Sequence, residues 1–317
     1  TDMDHNSVLR PTRSLEERWG GRLRVTRLPA DPTTGRVDPA DLRAAITEDT
    51  RVVAVSHASN VAGTIQPVAS MGAICRARRV PFLVDAAQSM GHVPIDFEEM
   101  GIDLLAFPGH KGMLGPLGTG GLIMRPGMER IVATVREGGT GSRSEHDAQP
   151  CDLPDKYEPG SHNLPGIAGL LAATRWIAER TVEGIRAHEI ELIEAFFAGL
   201  TDGSGELPEH VRVLGPMDPS ARIGVICIVI EGVPPGEVSD VLEMRHGVLT
   251  RSGLHCAPRA HRTFGTDPES APAGCVGATR FSFGPFLSVG DVRRAGAAVR
   301  EIAAERTGAS RATAAHR

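Results

Sequence analysis

The sequence has little net charge, no long apolar run and no regular cysteine spacing, and each absence removes a class of function. Its 317 residues carry a formal charge of −5 with no basic cluster, so nucleic acid is not an expected partner. No apolar run reaches the ~18 residues that a membrane span requires, and no secretory leader is read at the start. A soluble cytoplasmic protein with no membrane partner is expected. The five cysteines form an odd set without a repeating interval, which points to reduced thiols rather than a disulfide framework. His146, Cys151 and His162 share one loop but lack the ligand spacing of a zinc site, so no metal is expected. The glycines between Gly115 and Gly121 follow Lys111, the reverse of the order in a phosphate-binding P-loop.

What is present centres on residues 81–122. The apolar run Phe82-Leu83-Val84 ends in Asp85, and a second run from Leu104 to Phe107 ends in His110-Lys111 and several glycines. Both read as short buried strands. In a parallel sheet the residues just past the carboxyl ends of strands face the ligand crevice, so Asp85, Gln88, His110 and Lys111 are expected to converge. An acid, an amide, an imidazole and an amine in one pocket suit pyridoxal phosphate: the amine takes the aldehyde and the acid holds a proton on the ring nitrogen. Taken singly, these residues are ordinary strand-end and turn residues. Their joint pattern is what carries information.

That pattern resembles the lysine region of the class V aminotransferase superfamily, in particular its cysteine desulfurase and selenocysteine lyase branch. Those proteins carry V-D-x-A-Q and, some twenty residues on, G-H-K followed by G-x-x-G-x-G. The resemblance implies a type I fold of pyridoxal-phosphate enzymes, Lys111 as the covalent anchor of the cofactor, Asp85 at its ring nitrogen, Gln88 at its ring hydroxyl and His110 near its phosphate. Pro108 departs from the pattern, since many relatives have a phosphate-binding Ser or Thr there. Asp4-His5-Asn6-Ser7-Val8-Leu9-Arg10-Pro11 resembles the family's E-H-N-S-V-L-R-P, which implies that His5 stacks on the cofactor ring. In relatives this motif follows a substantial N-terminal region with a Gly-Thr phosphate loop. The chain begins at Thr1 and therefore reads as N-terminally truncated.

The segment around Asn60 resembles the family's S-N-x-x-G, implying a place near the ring hydroxyl and the substrate carboxylate. The long polar loop over 137–163 resembles one that reaches into a neighbouring subunit in one subgroup. Ser161 would then contact the partner's phosphate, in a homodimer with shared sites. Thr250-Arg251-Ser252-Gly253-Leu254-His255-Cys256-Ala257-Pro258 resembles the R-x-G-x-x-C-A-x-P loop of cysteine desulfurases, whose cysteine takes the substrate's sulfur as a persulfide. A free cysteine is only ~3% thiolate at neutral pH, so Arg251, His255 and Arg259 are expected to favour the charged form. Arg280 matches the arginine that clamps the substrate carboxylate, with Arg251 nearby, and a planar guanidinium suits that task.

The remaining pattern predicts a strand over 22–28, a helix from Pro39 through Ile46 behind the cap Asp38, a strand over 51–56 and a helix over 67–79 with Cys75 on its buried face. Continuous helix is expected over 166–200, then strands at 211–214, 223–230 and 278–283, a helix over 236–246 and a last helix behind the capping box of Ser288 and Asp291. Small and polar residues over 308–317 read as a fraying end. The fold class is α/β: a mainly parallel large domain over 1–203 and a smaller α+β domain over 204–317 carrying the Cys256 loop and Arg280.

The expected activity is conversion of L-cysteine to L-alanine with a persulfide on Cys256, handed to a sulfur-acceptor protein. Selenocysteine lyase and another aminotransferase or lyase on the same scaffold are alternatives, as is a non-catalytic partner that retains the fold.

Overall fold

The computed structural model describes residues 1–314. The chain opens with α1 (Asn6–Trp19) and α2 (Pro39–Ala45). A four-stranded sheet follows, in the order β1 (Val53–Ser56), β2 (Phe82–Asp85), β3 (Leu104–Pro108), β4 (Gly120–Met124). The first three strands are parallel and β4 runs antiparallel to β3. Between β1 and β2 lies α3 (Val68–Arg78), which buries Val68, Met71, Ile74 and Cys75 in the same apolar core as Val55, Phe82 and Val84. Asp38 caps α2 as expected, its Oδ1 accepting from Ala40 N at 2.8 Å with Pro39 in the first turn.

The helices α4 (Leu164–Arg180) and α5 (Val182–Leu200) lead to a second, wholly antiparallel sheet. Its strands are β5 (Val211–Leu214), β6 (Val225–Ile230), β7 (Arg251–Gly253) and β8 (Ala278–Ser282), in the order β5-β6-β8-β7. The remaining helices are α6 (Pro235–His246), α7 (Pro258–Thr263) and α8 (Val289–Ala314). Leu192, Phe196, Ile226, Phe281 and Val299 meet in one core between this sheet and the pair α5 and α8. Those helices cross backbone to backbone: a Cβ on Gly199 would lie 2.1 Å from Arg293 O, and one on Gly296 would lie 2.1 Å from Phe196 O. Ser288 and Asp291 form the expected reciprocal cap of α8, Asp291 N donating to Ser288 Oγ at 3.1 Å and Ser288 N to Asp291 Oδ2 at 3.4 Å.

Several expectations differ from the structure for identifiable reasons. Residues 22–28 alternate exposed and inward-facing side chains but pair with no strand. Their backbone is satisfied elsewhere, with Val25 N donating to Glu16 Oε1 at 2.9 Å and Leu28 O accepting from Asp2 N at 3.0 Å. The helix expected over 166–200 is broken at Thr181, whose φ of 61° is left-handed and whose Oγ1 accepts from Gly184 N at 3.0 Å to start α5. The helix α5 is shared between cores: Ile185 packs with Met113 and Ile177, and Leu192, Phe196 and Leu200 pack with the second sheet. The C-terminal stretch from 308 is helical as far as Ala314, and residues 315–317 lie outside the described residues. The helix α1, with Pro11 in its interior, was not expected from the sequence.

Candidate active site

The site forms where β2 and β3 end side by side, with Asp85 opposite Ala106 in register. Asp85 closes β2, and Lys111 stands in the turn just beyond β3. That turn is pressed against the one following β2, because a Cβ on Gly112 would lie 2.3 Å from Met90 O. His5 arrives from a third direction as the N-cap of α1, its Nδ1 accepting from Ser7 N at 3.1 Å. The preceding residue, Asp4, is buried and anchors this segment to the end of β1 by accepting from Ser56 N at 3.0 Å.

Burial governs the charges here. It pushes the Lys111 amine below the ordinary lysine range, against the attraction of Asp85 and with help from Arg280. The Asp85 carboxyl is pushed up by burial, opposed by the Ala87 N–H at 2.9 Å and by Lys111. His5 is pushed down by burial and then by Lys111, so its ring is neutral at physiological pH. Lys111 and Asp85 perturb each other, and both act on His5, which puts the three near one another.

Arg280 on β8 faces this group. Its Nη1 donates to Asn60 O at 3.2 Å, while its buried Nε has no hydrogen-bond partner among the described residues. A cavity of about 290 Å³ is lined by Arg280, Lys111, Gln88, His92 and Glu189, among others. A guanidinium beside an amine on a cavity lining is a receptor for a carboxylate.

The cysteine loop joins the group from the second sheet. Arg251 lies directly across from Arg280 in the β7–β8 pairing. Both His255 (φ 51°) and Cys256 (φ 58°) are left-handed, which for non-glycine residues marks a constrained turn. Cys256 is exposed, and Arg251 Nη2 donates to its Sγ at 3.7 Å. Asn6 N donates to Cys256 O at 2.8 Å and Asn60 Nδ2 to His255 O at 2.6 Å, so the loop is bonded both to the segment that bears His5 and to the turn that follows β1. Of the three cations expected around the sulfur, only Arg251 reaches it. His255 is buried and pushed down to about 4, hence neutral, and Arg259 Nε is held by Asp2 Oδ1 at 2.6 Å.

The structure therefore gathers His5, Asn60, Asp85, Gln88, Lys111, Arg251, Cys256 and Arg280. His110 and Ser161 are both exposed, and Ser161 stands in an irregular loop ahead of α4. Among the described residues no cluster suited to a metal ion is found. No helix of the described residues is long and apolar enough to cross a membrane.

Sequence reading missed a second layer. Glu189 accepts from His92 Nδ1 at 3.0 Å, Gly224 N at 2.7 Å and Arg186 Nη1 at 2.5 Å. Burial raises its carboxyl, but the hydrogen bond and charge of His92, Gly224 N–H and Arg186 outweigh this and hold it below its usual range. The signal was available: Glu189 falls in the apolar stripe of Ile185, Leu192, Ile193 and Phe196, where a carboxylate needs partners. His57, whose Nδ1 lies 2.9 Å from Ser89 Oγ, and His261 are likewise buried and neutral, each pushed down to about 4 by burial above all.

These histidines set an expected acid response. A folded-state value below the unfolded one means that the unfolded chain binds more protons, so stability is complete above about pH 6.5 and is lost as pH falls toward 4. Between pH 7.5 and 5, His57, His255 and His261 should each remove at most about 2 kcal/mol of stability. Denaturant melts at the two pH values, with His57→Gln as comparison, measure this; equal midpoints for the parent would contradict it.

Residues 1–294 match the family model for class-V aminotransferases. The chain is 36% identical over 312 residues to a probable cysteine desulfurase of Aeropyrum pernix, covering 95% of this chain and 71% of that protein. It is 35% identical over 273 residues to a probable cysteine desulfurase of Methanothermobacter thermautotrophicus, covering 84% of this chain and 66% of that protein. Among solved structures, the apo form of a cysteine desulfurase from Thermococcus onnurineus NA1 aligns with a TM-score of 0.80 at 28% identity, over 96% of this chain and 72% of that one. The chain thus spans about two thirds of the length of these curated relatives. With a matching family model over nearly all its length and the same fold, the chain belongs to the class-V aminotransferase family.

Proposed function

We propose that the chain carries the active site of a pyridoxal-phosphate-dependent cysteine desulfurase, which takes sulfur from L-cysteine onto Cys256 and releases L-alanine. The observation that carries this reading is the exposed Cys256 thiol under the Arg251 guanidinium, on a loop bonded to the segment that bears His5 and near Arg280, whose charge acts also on Lys111. Relatives described as cysteine desulfurases support it.

The residues present fit the cofactor. Lys111 offers an amine of lowered proton affinity for the aldehyde, and a buried carboxyl raised as Asp85 is makes a strong acceptor for a protonated ring nitrogen. His5 offers a neutral flat ring for stacking, and Gln88 an amide for the ring hydroxyl. Pro108 has neither hydroxyl nor N–H for the phosphate, so His110 and, from the neighbouring subunit of a cytoplasmic homodimer, Ser161 are assigned there. When bound, the cofactor supplies an electron-poor ring that weakens the bonds at the substrate's α-carbon.

The chain's own residues do the rest. Arg280, which lines the cavity, clamps the substrate carboxylate and orients the α-carbon toward Lys111. Lys111 Nζ carries the α-proton and returns it. Arg251 favours the Cys256 thiolate, which attacks the substrate's sulfur; the S–S bond forms as the Cβ–S bond breaks, and its electron pair stays with the substrate carbon, where protonation completes alanine. The persulfide then passes to an acceptor. Incubation with pyridoxal phosphate, L-cysteine and a thiol reductant should yield alanine and sulfide in equal amounts. Keto acid without sulfide would replace this reading by transamination, and alanine from L-selenocysteine alone would replace it by selenocysteine lyase.

A further inference from the structure

Behind the thiol loop lies a chain of hydrogen bonds whose direction is set by its two ends. His255 Nε2 lies 3.0 Å from Arg251 O, a carbonyl that can only accept, so the ring's hydrogen sits on Nε2. In the neutral ring, Nδ1 is then a bare acceptor, and it faces His261 Nε2 at 3.2 Å. His261 Nε2, nearer than the weak Cys227 Sγ donor at 4.0 Å, donates there, which leaves its own Nδ1 to accept from the Thr266 hydroxyl at 2.7 Å. Thr266 Oγ1 also lies 3.3 Å from His261 O, but the shorter contact to a nitrogen that has no other donor takes the hydrogen. His255, His261 and Thr266 are all buried, so water does not compete.

The chain closes a loop on itself. Arg251 O and His255 stand at the two ends of the stretch that leads to Cys256, and the left-handed pair His255–Cys256 follows directly. We propose that His261 and Thr266 are positioning residues for Cys256: through His255 they fix the turn that holds the thiol under the Arg251 guanidinium. This rests on the reading of Cys256 as the sulfur acceptor. His261 and Thr266 touch neither the thiol nor the cavity lining; they act through His255. Thr266 is itself held by Thr266 N donating to His261 O at 2.8 Å and by Gly277 N donating to Thr266 O at 2.7 Å, so its hydroxyl is aimed from a fixed backbone.

The test uses the other cysteines as internal standards. Cys151 is exposed like Cys256, whereas Cys75 and Cys227 are buried. Parent, Thr266→Val, Thr266→Ser and His261→Gln proteins are treated briefly with iodoacetamide at pH 7.5, and the label on each cysteine is quantified by peptide mass spectrometry. Thr266→Val keeps the shape and removes the donor, while Thr266→Ser keeps the donor. In Thr266→Val and His261→Gln the ratio of Cys256 to Cys151 labelling should fall about five-fold or more, with Cys75 and Cys227 still protected. Thr266→Ser should retain the parent ratio. In the same proteins kcat for sulfide release should fall while KM for L-cysteine holds, because the Arg280 clamp is untouched. An unchanged or higher ratio in Thr266→Val with Cys75 and Cys227 protected overturns the proposal, as does a Thr266→Ser protein that behaves like Thr266→Val. The labelling ratio does not depend on turnover, so a fallen ratio in a protein that makes no alanine would retain the positioning role and remove the desulfurase reading instead.

Discussion

Replacing Lys111 with alanine is expected to lower sulfide release from L-cysteine by about a thousand-fold or more, since general acid–base transfer alone contributes roughly 10²–10⁴ and the covalent hold on the cofactor is lost as well. Borohydride treatment of the parent with pyridoxal phosphate should leave a pyridoxyl group on the peptide containing Lys111, and the variant should carry none there. A variant that retains a tenth of parent turnover would remove Lys111 from the reaction. The substitution also has an electrostatic signature independent of turnover. Lys111 opposes the upward push that burial exerts on Asp85, so its removal drives that carboxyl further up. A carboxyl raised in the folded state binds protons that the unfolded chain has released, so the variant's stability should decline more steeply than the parent's as pH rises above about 4. Parallel slopes in the two proteins would separate Asp85 from Lys111.

The second large effect is expected at Cys256. Cys256→Ala should cut sulfide release by about a hundred-fold or more, while the spectrum of the bound cofactor and the KM for L-cysteine stay near parent values. The reason is geometric. The thiol stands on the second domain under Arg251, whereas the groups assigned to cofactor and carboxylate are Lys111, Asp85, His5 and Arg280. Removing a single exposed sulfur leaves all of these in place. Equal sulfide output from variant and parent would show that the sulfur leaves by another route. Arg251→Ala should fall between the two proteins, because it keeps the thiol and removes the guanidinium that donates to it.

Much of this site could be read from the chain because its chemistry sits at strand ends. Asp85 and Lys111 each follow an apolar run, and two parallel strands of that kind place their carboxyl ends together whatever the rest of the fold does. Arg280 and Arg251 were recognisable as members of two motifs, and the β7–β8 register makes them cross-strand neighbours. Long-range partners were not recognisable. Arg259 looked like a third cation for the thiol, yet it is bound to Asp2 at the other end of the chain. His255 looked like a source of charge because adjacency suggests contact, but burial makes it neutral and turns it inward toward His261. The alternation over 22–28 was a true record of one-sided burial, and only the absence of a neighbouring strand separates it from β structure. Asn60 was read as a side chain for cofactor or substrate, and its sequence context gave no sign that its Nδ2 also secures the cysteine loop.

That securing constrains how sulfur can leave. The cysteine arm is latched to the body of the molecule at Asn6, Asn60 and Asp2, so it cannot swing outward as a crane without breaking every latch at once. Rotation about the Cys256 side chain is the travel that remains. An acceptor of sulfur from Cys256 would therefore have to dock at the doorway itself, and its fit to the surface there would set the pace of delivery.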